Sequence, residues 1–319
     1  MIAGAPAFNF WGFAAWLGNA YKILGFTPDQ ALVNLPQFAA IQQEVFKQCD
    51  RLDGALDGIL EDPEACKLNW EPLLCSSNNS SSTCLTPAQK EIASKLFEQP
   101  TTYNGKVLYP GHRHGPEPRT AGGLYQEIVM GWVGDIFGNL VFNKSYDSRS
   151  FTLSDANYAY EQDFGKLSSY DPIISAFRNR GGKVIHYHGV VDSLLPFTSS
   201  DLYYKNVQKA LKASVKDLDK FYRYFRASGV DHCFGGPGAN FFGQGGGGDP
   251  SADPDDNVLM RIVAWVEKGK APEFIRGTKY VNDTKALGVE FTRKHCKYPK
   301  VNSYVGKGDG KDEEGWRCV

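Results

Sequence analysis

Apolar residues crowd the first 24 positions of the chain. Met1-Ile2-Ala3-Gly4-Ala5-Pro6 reads as the end of a buried strand. Trp11 to Leu24 is apolar enough for a helix packed into a core. Residues 26–165 change character. Gln37 to Cys49 repeats apolar residues at helical spacing. An acidic turn, two loops bounded by cysteines and a Ser/Asn run from Ser76 to Ser82 follow. Thr86-Pro87 marks a helix start, Thr86 as N-cap and Pro87 at the first position. Tyr103 to Thr120, rich in Pro, Gly and His, reads as loop.

From Asp171 the pattern turns to strands alternating with helices. Pro172 to Arg180 is a short helix stopped by Gly181-Gly182. Lys183 to Tyr187 is a buried strand, Ser199 to Val215 a helix and Phe221 to Ala227 a second strand. Gly243 to Asp256 is a Gly/Asp linker, and Val258 to Lys268 an amphipathic helix. Such alternation predicts an α/β fold, a mostly parallel sheet covered by helices. The expected division puts 1–25 and 166–319 in the sheet domain and 26–165 in an inserted lid.

Composition narrows the class of function. With 35 Lys+Arg against 36 Asp+Glu and no basic run, nothing favours nucleic acid. No stretch is long enough to span a membrane. The seven cysteines include no Cys-x-x-Cys, which argues against zinc. Close spacing among most of them reads as disulfides, and Asn-x-Ser/Thr sequons at Asn78, Asn79, Asn143 and Asn282 agree with secretion. The first residues lack the charged and apolar regions of a secretory signal, so the natural N-terminus is expected upstream.

The candidate chemistry lies after the two predicted strands. The first is followed by His188-Gly189-Val190-Val191-Asp192, the second by Gly229-Val230-Asp231-His232-Cys233. Chemistry in parallel sheets sits at the carboxyl ends of strands. An acid preceding a histidine in the chain matches the order of an esterase triad whose serine lies further upstream. Taken singly, Asp192 is a turn residue and His232 a loop histidine; together and in order they read as acid and base. His186 is expected to be packed, and His188 to shape the Asp192 loop. His112, His114 and His295 are expected to face solvent. No Gly-x-Ser-x-Gly occurs, so the nucleophile is missing. Gly243–Gly248 has no Lys-Ser/Thr and is not a phosphate loop.

A second cluster, Asp50, Asp53 and Asp57 with glycines between them, offers hard oxygen ligands suited to Ca²⁺. Its alternative is a solvated acidic turn. Flanking Cys49 and Cys66 favour the ion, because a tethered loop loses less entropy on closing around it.

These segments resemble the tannase/feruloyl esterase family of secreted serine esterases. The matches are Ala3-Gly4-Ala5-Pro6, Cys49-Asp50-x-x-Asp53-Gly54-x-x-Asp57-Gly58, His188-Gly189-x-x-Asp192, His232-Cys233-x-Gly235-Gly236-x-Gly238 and Trp265-Val266-Glu267-x-Gly269-x-Ala271-Pro272. The resemblance implies an α/β-hydrolase fold with a large lid, with Asp192 as the acid and His232 as the base. It implies a structural calcium held by Asp50, Asp53, Asp57 and the carbonyls of Ala55 and Ile59. The implied disulfides are Cys49–Cys66, Cys75–Cys84 and Cys296–Cys318, with Cys233 paired to a cysteine beside the upstream serine. The N-terminal half carrying that serine and the first strands is expected to be absent from this chain. The expected substrates are plant phenolic esters, feruloyl or other hydroxycinnamoyl esters first and galloyl esters second. Trp132, Phe137 and Tyr158 are lid aromatics that could meet the acyl ring, a core role being the alternative for each. A non-catalytic fragment is the reading of another class.

Overall fold

Two runs of β-branched and aromatic residues form adjacent strands of a parallel sheet. In the computed structural model, residues 1–25, 31–76, 81–125, 127–244 and 252–319 are described. Strands β1 (Ile2–Gly4), β4 (Val184–Gly189) and β5 (Tyr222–Ala227) lie in the order β1-β4-β5, all parallel. His186 pairs with Tyr224 and His188 with Arg226 in the register. Every residue of β4 and β5 is buried, as a strand covered on both faces must be.

Alternation along the strands sends side chains to two different layers. Ile185, Tyr187, Phe225 and Ala227 pack with Ile262 and Trp265 of α10 (Val258–Lys268). Val184, Tyr222 and Tyr224 pack with Tyr203, Tyr204 and Val207 of α8 (Thr198–Ala210). His186 and His188 point to this second side by the same alternation. The expected helix from Ser199 stops at Ala210, and a short α9 (Val215–Leu218), capped by Ser214, leads into β5. Beyond β5, Tyr298 N–H donates to Tyr224 O at 2.8 Å, so the long hairpin β6 (Phe274–Tyr280) and β7 (Val289–Cys296) ends beside the sheet. The last hairpin, β8 (Asn302–Tyr304) with β9 (Trp316–Cys318), follows it.

The segment between β1 and β4 builds the largest hydrophobic cluster. Helix α1 (Phe10–Leu24) is buried nearly all round and contributes Trp11, Trp16 and Leu17. Around it stand α2 (Leu35–Cys49), α3 (Pro87–Phe97), the small hairpin β2 (Thr101–Tyr103) and β3 (Lys106–Tyr109), α4 (Glu117–Leu124), α5 (Glu127–Ile136) and α6 (Leu153–Gln162). Thr86 caps α3 with Pro87 at its first position, in a capping box completed by Gln89. The segment 103–120 is therefore not all loop: it holds β3 and the start of α4. A five-residue helix α7 (Ser175–Asn179) precedes β4. Disulfides join Cys49–Cys66, Cys75–Cys84 and Cys296–Cys318, the pairs the resemblance implied. Sequons Asn78 and Asn79 and half of the Gly/Asp linker lie outside the described residues; Asn143 and Asn282 are exposed.

One buried arginine fastens this segment to the sheet. Arg226 of β5 is 7% exposed. It donates twice to Asp201 of α8, at 3.1 and 2.6 Å, and also to Asp62 at 3.2 Å and Glu64 at 2.7 Å. The rings of Phe197 and Tyr298 flank its guanidinium.

The three histidines expected at the surface are all buried. His112 packs against Trp16 and Phe97, and burial pushes it down to about 3, so it stays neutral. His295 Nε2 donates to Ala239 O at 2.8 Å, and burial pushes it down to about 4. Since Ala239 O only accepts, Nε2 carries the proton. His114 is different. Burial lowers it, but hydrogen bonds with Glu117 at 2.9 Å and Glu98 at 3.3 Å outweigh that and raise it to about 9. A local pattern of charge and proline suggested solvent; tertiary packing of α1 and α3 around this loop decided otherwise.

A stability profile follows from His114. Its folded value lies above the unfolded value of about 6.5, so its contribution is complete below that pH and is lost as pH rises through about 9. The expected decline between the two is roughly 3 kcal/mol in unfolding free energy. Urea unfolding at pH 6 and pH 9.5 measures it, and His114→Gln is expected to flatten the profile.

Candidate active site

Because β4 and β5 are parallel neighbours, the loops leaving them meet at one end of the sheet. Val190 N–H donates to Ala227 O at 2.9 Å and Val191 N–H to Val230 O at 3.1 Å. Gly189 permits this approach. A Cβ there would overlap the carbonyls of Val230 and Asp231. Gly236 turns the second loop back with φ +93°, a conformation that favours glycine.

Asp192 is 1% exposed and fully engaged. Its Oδ1 accepts from the N–H groups of Leu194 at 2.9 Å and Leu195 at 2.8 Å. Its Oδ2 lies 2.8 Å from His232 Nδ1 and 3.1 Å from His188 Nε2. Burial alone would raise this carboxyl, but the hydrogen bonds from His188 and His232 win and hold it well below the usual carboxylate range. These bonds favour the carboxylate over the neutral acid. His232 responds in the opposite direction: its hydrogen bond to Asp192 raises it, against partial desolvation. Its side chain is 40% exposed, and among the described residues its Nε2 makes no hydrogen bond. An imidazole with a carboxylate on Nδ1 and an open Nε2 can take a proton from a hydroxyl or a water and return it.

Asp231 ties the two loops together. Its Oδ1 accepts from Ser193 N–H, Ser193 Oγ–H and His232 N–H, at 2.8, 2.9 and 2.8 Å, and its Oδ2 pairs with Arg119 of α4. Lys279 of β6 donates to Gly236 O at 2.7 Å, and Gln244 donates to Cys233 O at 3.0 Å. A cleft of about 430 Å³ is bounded by both loops and the segment between β1 and β4, with Gln42, Phe46, Pro116, Arg119, Val191 and Pro237 in its walls. It falls within the size range of small-molecule sites. Phe137 is fully buried in the core and cannot reach a ligand, whereas Trp132 and Tyr158 are exposed.

Two hydroxyls near Asp192 are already committed. Ser193 Oγ donates to Asp231, and Ser200 Oγ stands between His186 at 2.9 Å and His188 at 2.6 Å. Neither touches His232. Cys233 adopts φ +65° and its half-buried Sγ donates to Gly4 O at 3.5 Å, beside the end of β1. Burial, and then the charge of Asp192, push its thiol up. The sequence pointed to Asp192, His232 and the influence of His188. It gave no sign of Arg119 or Ser200, and of Asp231 only its position next to His232.

The acidic loop closes on itself. Asp50 accepts from Gly58 N–H, Asp53 from Ala55 and Glu61 N–H, and Asp57 from Ile59 N–H. Gly54, at φ +99°, lies against Tyr304 O where no side chain fits. Burial raises all three carboxyls, Asp53 to about 7 with the charges of Glu61 and Asp57 adding to it. Arg293 pairs with Asp57 at 2.6 Å and Glu61 at 2.9 Å; Asp50 and Asp53 have no ion pair among the described residues. Among those residues no group of three acidic or histidine side chains converges as a metal centre. The donor chemistry nevertheless fits a hard cation: all oxygen, desolvated and short of positive charge.

Comparison with known proteins agrees across the whole length. A family model described as "Tannase and feruloyl esterase" matches residues 1–319. A "Probable feruloyl esterase B-1" of Aspergillus oryzae is 41% identical over all of this chain and 59% of its own length. One from Aspergillus fumigatus is 42% identical, with 60% of its length covered. The chain thus spans about 60% of these curated relatives. Among solved structures, feruloyl esterase B from Aspergillus oryzae superposes with TM-score 0.91 at 41% identity, covering all of this chain and 63% of that one. An esterase from the same organism gives 0.94 at 39%, with 63% of it covered. A tannin acyl hydrolase from Aspergillus niger, at TM-score 0.65 and 19% identity with 59% covered, shares the fold.

Proposed function

We propose, since this chain belongs to the tannase and feruloyl esterase family, that it carries the acid and base of a serine carboxylic ester hydrolase acting on aromatic acid esters. The observation behind this is Asp192 Oδ2 at 2.8 Å from His232 Nδ1, on loops from adjacent parallel strands. The architecture is that of an α/β-hydrolase with residues 26–165 as its lid. The serine, an oxyanion donor beside it and the first strands come from a segment upstream of Met1. Cys233, whose thiol lies next to Gly4 at the end of β1, pairs with a cysteine of that segment.

In the reaction, Nε2 of His232 takes the serine proton as Oγ attacks the ester carbonyl. The C–O bond to the alcohol then breaks, and the alcohol leaves with that proton. Water repeats the sequence on the acyl-serine and releases the acid. Asp192 keeps His232 in the Nδ1–H tautomer and stabilises the imidazolium formed in each half. The feruloyl esterase relatives favour hydroxycinnamoyl esters; the tannin acyl hydrolase similarity supports the fold alone. Disulfides and exposed Asn143 and Asn282 support secretion.

The test is hydrolysis of methyl ferulate and methyl gallate by the chain joined to its upstream segment. Turnover of the ferulate ester that His232→Ala removes is the expected result; turnover that survives that substitution overturns the assignment. The 319-residue chain alone is expected to be inactive.

Calcium is proposed for the acidic loop, held by the carboxylates of Asp50, Asp53 and Asp57 and the carbonyls of Ala55 and Ile59. It would neutralise buried charge there and take no part in the ester chemistry. At calcium a hundredfold above its dissociation constant, binding is expected to add about 2.7 kcal/mol of stability. An unchanged melting temperature in excess chelator, with no metal found by elemental analysis, rules it out.

A further inference from the structure

Asp192 has a second imidazole partner, and behind it runs a line of buried polar groups. His188 Nδ1 lies 2.6 Å from Ser200 Oγ, Ser200 Oγ lies 2.9 Å from His186 Nε2, and His186 Nδ1 lies 2.8 Å from Tyr222 Oη. His186, His188 and Ser200 are fully buried, and Tyr222 is 1% exposed. Four side chains from β4, β5 and α8 thus connect Asp192 to the interior of the sheet.

The position of every hydrogen in this line follows from one carbonyl. His188 Nε2 faces Leu195 O at 3.0 Å as well as Asp192 Oδ2 at 3.1 Å. A carbonyl and a carboxylate only accept, so Nε2 carries the proton. In neutral His188, Nδ1 is then an acceptor and Ser200 Oγ–H must donate to it. Ser200 Oγ in turn accepts from His186 Nε2–H, and His186 Nδ1 accepts from Tyr222 Oη–H. Each hydrogen has an acceptor and each ring is a single tautomer. The alternative, a cationic His188, reverses the line. His186 would donate to Tyr222, and the phenol hydrogen would be left buried with no acceptor among the described residues, which is costly.

We propose that Tyr222, His186, Ser200 and His188 are positioning residues, a hydrogen-bond chain of fixed direction ending on Asp192 that sets how strongly Asp192 holds His232. This rests on reading Asp192 and His232 as acid and base. The chain has two consequences. The hydrogen bond from His188 fixes the carboxylate in the plane that His232 needs. It also takes a share of the carboxylate's charge, so His232 is less basic than a single Asp–His pair would make it. The other titratable groups facing the pair are Asp231 and Cys233 on the same loop and Tyr109 and His112 from the segment between β1 and β4. Tyr224 stacks on His186. None of these joins the chain.

The experiment needs no catalysis. Long-range ¹H–¹⁵N spectra of the 319-residue chain, labelled in its histidines, are expected to show His186 and His188 each as a single tautomer with the proton on Nε2. His188→Phe is expected to raise the titration midpoint of His232 by about one pH unit, since one charge-assisted hydrogen bond is removed from Asp192. Ser200→Ala is expected to move it in the same direction by less. Tyr222→Phe keeps the ring and is expected to leave the proton on His186 Nε2, held there by Ser200, while the Nδ1 resonance moves to that of an acceptor without a donor. A proton on His188 Nδ1 in the unaltered chain overturns the proposal, as does an unmoved His232 in both Ser200→Ala and His188→Phe. If the interior substitutions unfold the chain, the unaltered spectrum and Tyr222→Phe decide it. Asp192→Asn separates the two readings. If it fails to lower the His232 midpoint, the acid–base pair itself is wrong. If it lowers the midpoint while the chain variants do not, only the chain is wrong.

Discussion

Asp192→Asn is expected to reduce kcat for methyl ferulate by about four orders of magnitude in the chain joined to its upstream segment, with little change in KM. The substitution preserves shape. The amide oxygen can still accept from the backbone N–H groups of Leu194 and Leu195, as Oδ1 does now. The amide nitrogen then occupies the position of Oδ2, where His232 and His188 both donate. Three donors face one another. His232 escapes by turning its proton to Nε2, the nitrogen that must accept from the nucleophile. The base is present but protonated on the wrong side, and the imidazolium formed in the reaction loses its counter-charge. Steady-state kinetics read the first effect, and the His232 ¹⁵N spectrum reads the tautomer directly. A loss smaller than tenfold would mean that His232 does not depend on Asp192.

The largest expected effect on stability belongs to Arg226→Ala, at about 3–5 kcal/mol. Most of this is not the value of the ion pairs. Asp201 has a side chain only 4% exposed, and removing its bidentate partner leaves a charge in a nearly dry site. Asp62 and Glu64 are about one-third exposed and turn to water at little cost. The double substitution Arg226→Ala with Asp201→Ala is therefore expected to be less destabilising than Arg226→Ala alone. Arg226→Lys recovers only part, because one ammonium cannot reproduce the fork on Asp201. Urea midpoints of the four proteins measure this, and equal losses in the single and double variants would refute it.

How much of this was legible in the sequence varies with the range of the interaction. The helix at Thr86-Pro87 was visible because capping is local, and so was the helix ending at Cys49. Strands β4 and β5 were visible from their apolar, β-branched and aromatic residues, and Asp192 and His232 from their place just beyond them. His112, His114 and His295 were misjudged because their neighbours in the chain are polar, while their neighbours in space are Trp16, Phe97 and Phe242. Ser200 was invisible for the same reason. It is an ordinary residue in the first turn of a helix until β4 places two histidines against it. Arg119, 112 residues from Asp231, carried no local sign of its partner.

The clamp at Arg226 also constrains how this sequence can drift over generations. Its four polar contacts come from two separate stretches, the 62–64 turn and α8, and tie both to β5. A lineage that loses the arginine first passes through a poorly folded intermediate, whereas one that first loses Glu64 passes through a tolerable one. Exchange is therefore ordered, surface acid before buried base, with Asp201 and Arg226 replaced together or not at all. Positions 201 and 226 are expected to vary as a pair across relatives, and position 64 to vary alone.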